Sequence, residues 1–446
     1  MELSKEQQYA FDKYIQGQNI FITGPAGTGK SELIKKIYYH AITHFKKIQV
    51  CALTGCAAVL LNCKARTLHS WAGIGLGNHP IDSLIKKINR NKTAKICWQS
   101  IDVLVIDEVS MFSLQLFDML NEIGKKIRKN NLPFGGIQLI FSGDFYQLPP
   151  IGNKEDPDTQ KFCFESLNWN IVFPNDCQIR LLKIFRQSDQ SYSDMLNQIR
   201  EGKFKKKTID IFMTLLNRTV DRNLITEPTK LFPTRSKVDI INNSKMNMLS
   251  SIETQFKLDL IKMVPDMSTF ERIQRAPFDD KDIEYELDYL KNNILCENVV
   301  RVKIGAQVMS IINMQTDEGF SICNGSQGVV KGFCTETGFP IVKFNNGVEL
   351  VMKKHTWMSE KIPGVAISQV PLILAWALTI HKSQGATLDC AEIDVGSDIF
   401  ECGQTYVALS RVKDINGLYL KSFDVNKIRI NKKVRDFYAS FKDDME

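Results

Sequence analysis

The amino-acid sequence predicts an α/β fold with two lobes, each built around a parallel sheet. Over the first 180 residues or so, short apolar runs rich in β-branched side chains alternate with stretches of helical periodicity, which is typical of a doubly wound lobe. The predicted strands cover residues 19–24, 49–54, 103–107 and 138–143. The predicted helices between them cover residues 31–45 and 113–129.

A second lobe is predicted from about residue 182, because strand-like runs return beyond that point. These runs cover residues 230–232, 372–379, 391–395 and 418–423. Residues 254–304 are more charged and show no clear sheet pattern, whereas residues 304–354 contain short strand signals broken by glycine and asparagine. We therefore expect a small β-barrel or curved antiparallel module to be inserted into the second lobe.

Composition and charge narrow the class of protein. The chain has 446 residues, 43% of them hydrophobic and 24% charged, as in ordinary globular proteins. Its net charge of +7 permits a polyanionic partner without requiring one, and the lysines at 205–207 predict a solvated helix face.

The 11 cysteines form no CxxC pair, which predicts reduced thiols rather than a metal site. Because the sequence has no apolar run of 18 residues, it predicts a soluble intracellular protein with no membrane partner. It does not distinguish a nuclear, mitochondrial, bacterial cytoplasmic or viral location.

A phosphate-binding loop follows the first predicted strand. Residues 24–31 (GPAGTGKS) fit the pattern GxxxxGK[ST] and lie between a buried strand and a helix, as that loop requires. Backbone N–H groups and the helix N-terminus would face the phosphates of ATP, Lys30 would reach the β- and γ-phosphates, and Ser31 would hold Mg²⁺. The ATP-binding residues predicted in this loop are Gly24, Pro25, Ala26, Gly27, Thr28, Gly29, Lys30 and Ser31.

Acidic and amide side chains follow two further predicted strands. Because ligands bind at the carboxyl edge of a parallel sheet, we expect Asp107 to bind Mg²⁺ and Glu108 to orient and deprotonate the attacking water. Residues 143–150 (GDFYQLPP) follow another strand, and Gln147 there is suited to sensing the γ-phosphate or positioning water. A simple turn stiffened by two prolines is the alternative for that segment.

Two arginines complete the predicted catalytic set. Arg186 lies in LKIFRQ at residues 182–187, and Arg411 lies in YVALSR at residues 406–411. Arginines are suited to stabilising the charge that hydrolysis spreads over the γ-phosphoryl oxygens, although each of these, taken alone, is more often a surface residue. Lys30, Asp107 and Glu108 are predicted to be catalytic from their own patterns, whereas the family resemblance described next is what adds Gln147, Arg186 and Arg411 to the predicted catalytic set.

Together these motifs resemble those of the Pif (petite integration frequency) DNA helicase family, in superfamily 1B, from Leu3 to about Val412. The most specific match covers residues 116–140, where LPFGGIQL at 132–139 is similar to the family's signature sequence. Residues 254–300 match no family motif. The other matches are the Q motif at 3–7, motif Ia at 54–58, RTLHSW at 66–71, LFPTR at 231–235, GAQVM at 305–309, NGSQG at 324–328, motif V at 377–388 and motif VI at 406–411.

The resemblance implies an ATP-dependent motor that moves 5′ to 3′ on single-stranded DNA and unwinds duplex in replication, repair or recombination. G-quadruplexes and RNA–DNA hybrids are further family substrates. The implied partners are single-stranded DNA and junctions of single- with double-stranded DNA, bound by a monomer, with oligomers on DNA left open. ATP and Mg²⁺ would bind between two RecA-like lobes, with Gln7 reading the adenine edge, Gly385 joining the ATP site, and Arg186 and Arg411 acting in hydrolysis.

The resemblance also implies domain boundaries and DNA contacts. The first lobe would cover residues 1–181 with a wedge near 64–78, the second 182–253 and 366–446, and an inserted domain with an SH3-like β module 254–365. The implied DNA-binding residues are Thr54, Thr67, His69, Ser70, Trp71, Phe145, Arg235, Thr379, His381, Lys382 and Thr387. Trp71 and Phe145 are expected to stack on bases, with core packing as the alternative for both.

Three alternative interpretations stay open. They are a P-loop enzyme of another type, such as a small-molecule kinase, a non-catalytic DNA clamp, and a translocase that acts on RNA. The predicted contacts are mostly hydroxyls, amines and imidazoles, which suit phosphates rather than base edges and therefore do not separate DNA from RNA. Stimulation of ATP turnover by either nucleic acid would discriminate among these interpretations.

Overall fold

A computed structural model describes most of the chain. It covers residues 3–54, 57–58, 61, 63–75, 77, 79–153, 155–186, 189–216, 218–221, 224–315, 321–359, 361–383, 385–396, 399 and 401–441. The motif residues Gly55, Cys56, Gln187 and Gln384 and the wedge residues at 76 and 78 lie outside this part of the chain. Within it, no helix is both long and apolar enough to cross a membrane.

The chain forms two compact units, and the first consists of Met1–Lys203, Glu401–Tyr406 and Ile428–Glu446. Its strands are β1 (Ile20–Thr23), β2 (Ile48–Ala52), β3 (Arg66–Thr67), β4 (Val103–Asp107), β5 (Gln138–Ser142) and β6 (Gln178–Arg180). Its helices include α1 (Lys5–Ile15), α2 (Lys30–Thr43), α3 (Leu68–Ala72), α4 (Ile81–Arg90), α5 (Lys92–Ser100), α6 (Leu114–Arg128), α7 (Trp169–Val172) and α8 (Gln190–Glu201). Short 3₁₀ turns lie at Val109–Met111, Pro133–Gly135, Pro157–Thr159, Cys163–Glu165 and Asn175–Cys177.

The strands of the first unit form a six-stranded parallel sheet in the order β3-β2-β4-β5-β1-β6. Successive side chains of β4 enter two different cores. Val103 and Val105 pack with residues of α1 and α2, whereas Leu104 and Ile106 pack with residues of α6 on the other side. A sheet buried on both faces needs apolar residues at every position, which explains why its strands read as continuous apolar runs. The predicted doubly wound lobe is confirmed.

The signature segment LPFGG is a packing device in this structure. Gly124 of α6 lies so close to the turn at Pro133–Gly135 that a Cβ there would come within 2.6 Å of the Phe134 carbonyl oxygen. The Phe134 ring is buried, its backbone N–H donates to Asn121 Oδ1 at 2.8 Å, and Arg128 Nε donates to the Gly135 carbonyl at 2.7 Å. The segment therefore fixes α6 against the entry to β5.

The second unit consists of Phe204–Phe400 and Val407–Lys427. Its helices include α9 (Lys206–Thr214), α10 (Arg235–Met248), α11 (Thr269–Arg275) and α12 (Asp280–Asn293), with 3₁₀ turns at Ile415–Gly417 and Val425–Lys427. Its first strands are β7 (Thr229–Phe232), β8 (Thr254–Lys257), β9 (Asp259–Ile261), β10 (Val299–Val302), β11 (Gln307–Ser310), β12 (Met314–Gln315), β13 (Ser321–Ile322), β14 (Gln327–Phe333), β15 (Pro340–Phe344) and β16 (Glu349–Val351). The others are β17 (His355–Met358), β18 (Ala366–Gln369), β19 (Leu372–Leu374), β20 (Ala377–Thr379), β21 (Ala391–Val395) and β22 (Leu418–Phe423). The helix α13 (Gln404–Leu409) contains the point at which the chain changes units, and α14 (Lys432–Ala439) belongs to the first unit.

The second unit has a parallel sheet in the order β20-β7-β21-β22 and an antiparallel sheet in the order β16-β15-β14-β11-β19. The antiparallel sheet confirms the β module predicted over residues 304–354. Smaller sheets pair β17-β18-β9, β10-β8 and β12-β13. The lysines at 205–207 are exposed at the start of α9, as predicted.

The strand predicted over residues 372–379 is wrong in one respect, because the structure divides it between two sheets. Leu372–Leu374 pairs with β11 in the antiparallel sheet, whereas Ala377–Thr379 pairs with β7 in the parallel sheet. The carbonyl of Ala375, at the division, accepts from Thr229 Oγ1 at 2.6 Å and from Gln307 Nε2 at 2.9 Å. At Ala375, side-chain donors thus replace the backbone hydrogen bonds that a neighbouring strand would supply. A run of apolar residues in the sequence cannot reveal such a change of sheet.

Neutral amides join the antiparallel sheet to the parallel sheet of the second unit. The Gln327 side chain is fully buried; its Nε2 donates to Thr229 Oγ1 at 2.5 Å, and its Oε1 accepts from the backbone N–H groups of Asp389 and Cys390 at 3.1 Å each. Gln307 bridges Glu227 and Ala375 in the same manner. These contacts hold the ends of β7 and β21 against the inserted sheet.

The compact units differ from the predicted domain boundaries. The first unit continues to Lys203 rather than ending at residue 181. It also includes Glu401–Tyr406 and Ile428–Glu446, which the sequence had assigned to the second lobe. Tyr438 of α14 and Arg200 of α8 lie in its buried core, which explains why these segments belong to it. Residues 254–300, which carried no clear sheet pattern, contain α11 and α12 between short strands.

Candidate nucleotide site

Three adjacent strands bring the predicted catalytic segments of the first unit to one edge of its sheet. β4, β5 and β1 are neighbours and run parallel, so their carboxyl ends meet at the same edge. The phosphate loop follows β1, Glu108 follows Asp107 at the end of β4, and the turn containing Gln147 follows β5. Open parallel sheets bind ligands at this edge.

Glycines allow the backbone of residues 24–30 to wrap closely against its neighbours. Gly24 has φ 149°, and a Cβ there would clash with the Leu181 carbonyl oxygen. Gly29 has φ 78° and occupies the N-cap position of α2. Since glycine has no side chain, Gly29 supplies no side-chain acceptor to the first N–H groups of that helix. Such a helix start favours the binding of a phosphate group.

Gln7 is fixed between α1 and the phosphate loop. Its Oε1 accepts from the backbone N–H of Ser4 at 3.0 Å, and its Nε2 donates to the Thr28 carbonyl at 3.1 Å. The side chain is buried and lies where a Cβ on Gly29 would come within 2.6 Å of its Nε2. Recognition of an adenine edge by Gln7 stays a prediction.

Lys30 lies among carboxylates at the base of the loop. Its Nζ donates to the carbonyls of Gly24 at 2.7 Å and Pro25 at 3.0 Å. Burial lowers the pKa of Lys30, and the negative charges of Asp144, Glu108 and Asp107 oppose that shift. These charges favour the ammonium form, which binding of β- and γ-phosphates requires.

Asp107 and Ser31 are the candidate ligands for Mg²⁺. Burial raises the pKa of Asp107, and the nearby Lys30 charge opposes the rise. Ser31 lies exposed in the first turn of α2. A carboxylate and a hydroxyl are hard oxygen donors of the type that Mg²⁺ binds together with substrate phosphates, so the residues present fit this ion. A divalent cation would also offset the cost of the buried Asp107 charge.

Glu108 holds a strained backbone conformation. Its φ of 56° and ψ of 42° lie in the left-handed region of backbone conformations, which residues other than glycine rarely adopt. The chain then passes so close to Gly143 that a Cβ on that glycine would lie 2.8 Å from the backbone nitrogen of Val109. Strain of this kind persists where the surroundings enforce it, commonly at functional sites.

The turn at residues 144–147 is built around a buried ion pair that the sequence did not reveal. The backbone N–H of Gln147 donates to the Asp144 carbonyl at 2.8 Å. The Asp144 carboxylate accepts from Arg200 Nε at 2.8 Å and from Arg200 Nη2 at 2.7 Å, and both side chains are fully buried. Asp144 lies in the quoted motif, but Arg200 carries no local signal because 56 residues separate it from its partner.

Arg186 has a buried donor that finds no acceptor among the described residues. Its Nη1 makes no hydrogen bond there. Burial lowers its pKa, while Tyr406 and Glu108 oppose the shift. An orphaned guanidinium N–H is costly inside a protein, and a phosphate oxygen is the acceptor that this group favours.

Tyr406 contacts the phosphate loop directly. Its hydroxyl accepts from the backbone N–H of Ala26 at 2.8 Å. The sequence placed Tyr406 in motif VI but assigned a role only to Arg411. In the second unit, Arg411 is buried and donates from Nε to the Val407 carbonyl and from Nη2 to Ser410 Oγ, both at 2.9 Å. Its part in hydrolysis stays a prediction.

The predicted DNA contacts differ in exposure. In the first unit, Thr54 is exposed, His69 and Ser70 are half-buried, and Thr67 is buried. Burial lowers the pKa of His69, which favours a neutral imidazole that would bind through hydrogen bonds. Ser70 Oγ accepts from Arg66 at 3.0 Å.

In the second unit, the motif V residues surround a turn after β20. The buried Thr379 accepts from the Lys382 backbone N–H at 3.1 Å, and burial lowers the pKa of His381. Gly385 has φ 81° and is exposed, while Thr387 is half-buried. Arg235 is exposed at the start of α10.

Base stacking by Trp71 and Phe145 is corrected by the structure. Trp71 is 2% exposed and packs on Trp98 with ring centroids 4.8 Å apart. Phe145 is 1% exposed and contacts Phe21 and Phe164. Neither ring offers a face to a base, because both complete the hydrophobic core of the first unit.

Comparison with known proteins agrees with these motifs. The model of the PIF1-like helicase family matches residues 2–210. The ATP-dependent DNA helicase PIF1 of Emericella nidulans is 38% identical over 95% of this chain and 61% of its own length, so the chain spans about three fifths of that relative.

Solved structures agree over the full length of the chain. The crystal structure of Pif1 helicase from Candida albicans is 36% identical, covers 99% of this chain and 100% of its own, and has a TM-score of 0.75. Bacteroides sp Pif1 in complex with ADP-AlF4 is 27% identical over 99% and 97%, with a TM-score of 0.79. Because the Candida albicans helicase is 36% identical over its entire chain and the family model matches residues 2–210, this chain belongs to the PIF1-like helicase family.

Proposed function

We propose that this chain is an ATP-dependent helicase that moves 5′ to 3′ on single-stranded DNA and unwinds duplex, with roles in replication, repair or recombination. The observation that carries the proposal is the edge of the first sheet, where Lys30, Asp107, Glu108 and the Gln147 turn meet. The Arg186 donor without an acceptor among the described residues adds a site for phosphate oxygen. The direction of movement rests on the family resemblance.

Each residue has a chemical task in this proposal. Lys30 and the loop N–H groups bind the triphosphate, Glu108 orients and deprotonates water, and Gln147 positions it. Arg186 and Arg411 stabilise charge on the transferring phosphoryl group. Mg²⁺, held by Ser31 and Asp107, would neutralise charge on the phosphates.

DNA contacts are proposed for exposed or half-buried residues of the matched motifs. In the first unit they are Thr54, His69 and Ser70; the second unit offers Arg235, His381, Lys382 and Thr387. Thr67 and Thr379 are buried and would act by shaping the backbone there. Contacts of these types recognise phosphates, so we expect weak sequence preference and affinity that falls steeply with salt.

Strand displacement on tailed duplexes tests the proposal. Duplexes with a 5′ tail or a 3′ tail, of DNA or of RNA, are mixed with ATP and Mg²⁺, and Lys30→Ala serves as the matched inactive variant. We expect displacement of the 5′-tailed DNA duplex only, and ATP turnover stimulated by single-stranded DNA. Preference for RNA would favour the RNA translocase, and turnover indifferent to nucleic acid would favour another type of P-loop enzyme.

A further inference from the structure

The hydroxyl of Tyr438 lies between the phosphate loop and the Gln147 turn, although the residue comes from α14. It lies 2.6 Å from Oγ1 of Thr23, the last residue of β1 before the loop. It also accepts from the backbone N–H of Phe145 at 3.0 Å and lies 3.4 Å from Asp144 Oδ1. The side chain is buried.

One arrangement of protons satisfies all three contacts. A tyrosine hydroxyl has one donor and two acceptor lone pairs. It can accept from Thr23 Oγ1 and from the Phe145 N–H while donating to Asp144. The hydroxyl thus connects the end of β1 to both the backbone and the carboxylate of the turn after β5.

Arg200 completes this arrangement. Its guanidinium lies 4.4 Å from the Tyr146 ring centroid and 5.3 Å from that of Tyr438, while it binds both oxygens of Asp144. The rings of Tyr146 and Tyr438 are themselves stacked, with centroids 4.8 Å apart. Asp144 Oδ1 also accepts from the Tyr146 N–H at 3.2 Å. The turn that carries Gln147 is therefore held by an ion pair, two rings and one hydroxyl.

We propose that Tyr438 is a positioning residue for ATP hydrolysis, which fixes the Gln147 turn relative to the phosphate loop through its hydroxyl. This inference rests on the proposed function. Tyr438 touches neither water nor phosphate in this role; it acts through Gln147. Its removal should slow the chemical step while leaving nucleotide binding by the loop intact, because a small displacement of a positioning group costs rate.

The variant Tyr438→Phe tests the proposal, since it keeps the ring and its stacking and removes only the hydroxyl. We expect kcat for DNA-stimulated ATP hydrolysis to fall by about ten- to a hundredfold, with KM for ATP changed less than about twofold. Tyr419→Phe is the matched control: this ring also stacks on an arginine, Arg218 at 5.3 Å, but lies in the second unit. It should retain wild-type turnover.

A double-mutant cycle separates positioning from a general loss of structure. In a Gln147→Ala background, Tyr438→Phe should have almost no further effect on kcat, because both changes remove the same function. An equal loss in both backgrounds, an unchanged kcat, or a raised KM with kcat intact would each overturn the proposal.

A second variant keeps the test decisive if Tyr438→Phe does not fold. Thr23→Val replaces the other hydroxyl of the pair by a methyl group, and it should lower kcat in the same direction. An unchanged kcat in Thr23→Val would then overturn the proposal. A wild-type protein that hydrolyses no ATP would instead overturn the proposed function itself.

Discussion

Buried polar contacts take two chemical forms in this molecule. In the first unit, the Gln147 turn is held by the charged pair Asp144–Arg200. In the second unit, the inserted antiparallel sheet is joined to the parallel sheet by the neutral amides Gln307 and Gln327. Both sets bind strands or turns through buried hydrogen bonds, but a buried charge carries a far larger desolvation cost than an amide.

The difference teaches what each unit requires. Beside a phosphate site the protein needs fixed charges, and Lys30 is influenced by both Asp144 and Arg200. Where one sheet merely has to meet another in register, an amide supplies a donor and an acceptor without a net charge. Substitutions of buried charges, buried amides and exposed charges should therefore differ in their effect on the free energy of unfolding.

Asp144→Asn should have the largest effect. It leaves the buried Arg200 charge without its partner, which typically costs about 3–5 kcal/mol of unfolding free energy. Asp176→Asn is the matched control in the same unit, because its salt bridge to Lys13 is 2.5 Å long but its carboxylate is 59% exposed. The control should lose at most about 1 kcal/mol in urea titrations. Equal losses in the two variants would remove the distinction between buried and exposed charge.

Gln327→Leu should have the next largest effect. It leaves the N–H groups of Asp389 and Cys390 and the Thr229 hydroxyl without this partner, at a cost of about 2–3 kcal/mol. Gln255→Leu, at an exposed position of the same unit, should change stability by less than about 0.5 kcal/mol. Urea unfolding of both variants measures the difference, and a loss in Gln327→Leu as large as that of Asp144→Asn would contradict the comparison.

Asp107→Asn should stabilise the fold while it abolishes ATP hydrolysis. Burial raises the pKa of Asp107, so the folded protein pays a penalty for its ionised form above that pKa, and the penalty fades as the pH falls toward the unfolded value. The variant should therefore gain about 0.5–1 kcal/mol over the wild type near neutral pH, and the gain should vanish in acid. Urea titrations across pH without Mg²⁺ test this; a destabilised variant would contradict it.

Arg235→Ala should have the smallest effect on stability. The side chain is 73% exposed and its pairing with Asp239 at 3.4 Å is a surface contact, so unfolding should change by less than about 0.5 kcal/mol. If Arg235 contacts a DNA phosphate, the variant should bind all sequences more weakly, with a salt dependence shallower by about one unit of slope. Fluorescence anisotropy at several salt concentrations measures this, and an unchanged slope would exclude the contact.

Much of the fold and site follows from local patterns. β1, β4 and β5 are apolar throughout because both faces of their sheet are buried, and the glycines and acids after them mark its carboxyl edge. Trp71 was ambiguous for a physical reason: an aromatic residue in a contact motif has the same composition whether it stacks on a base or packs in a core.

Contacts between distant parts of the chain explain what could not be predicted. Arg200 and Tyr438 contact Asp144 although they are 56 and 294 residues away from it in the sequence. Neither residue lies in a recognised motif. The compact first unit extends beyond the predicted boundary at residue 182 for the same reason, since packing against Asp144 places α8 in that unit. The division of residues 372–379 depends on Thr229 and Gln307, which no local pattern near residue 375 can indicate.

The discontinuous first unit has a consequence for how the protein is made. Its phosphate loop is synthesised before the second unit, whereas Tyr438, which contacts the Gln147 turn, is added only after the entire second unit. At a synthesis rate of about 5–20 residues per second, the aromatic side chains around Phe145 would remain exposed to solvent for roughly 10–50 seconds before α14 is made. We therefore expect the nascent chain to depend on chaperones over that interval, and residues 1–203 expressed by themselves to aggregate.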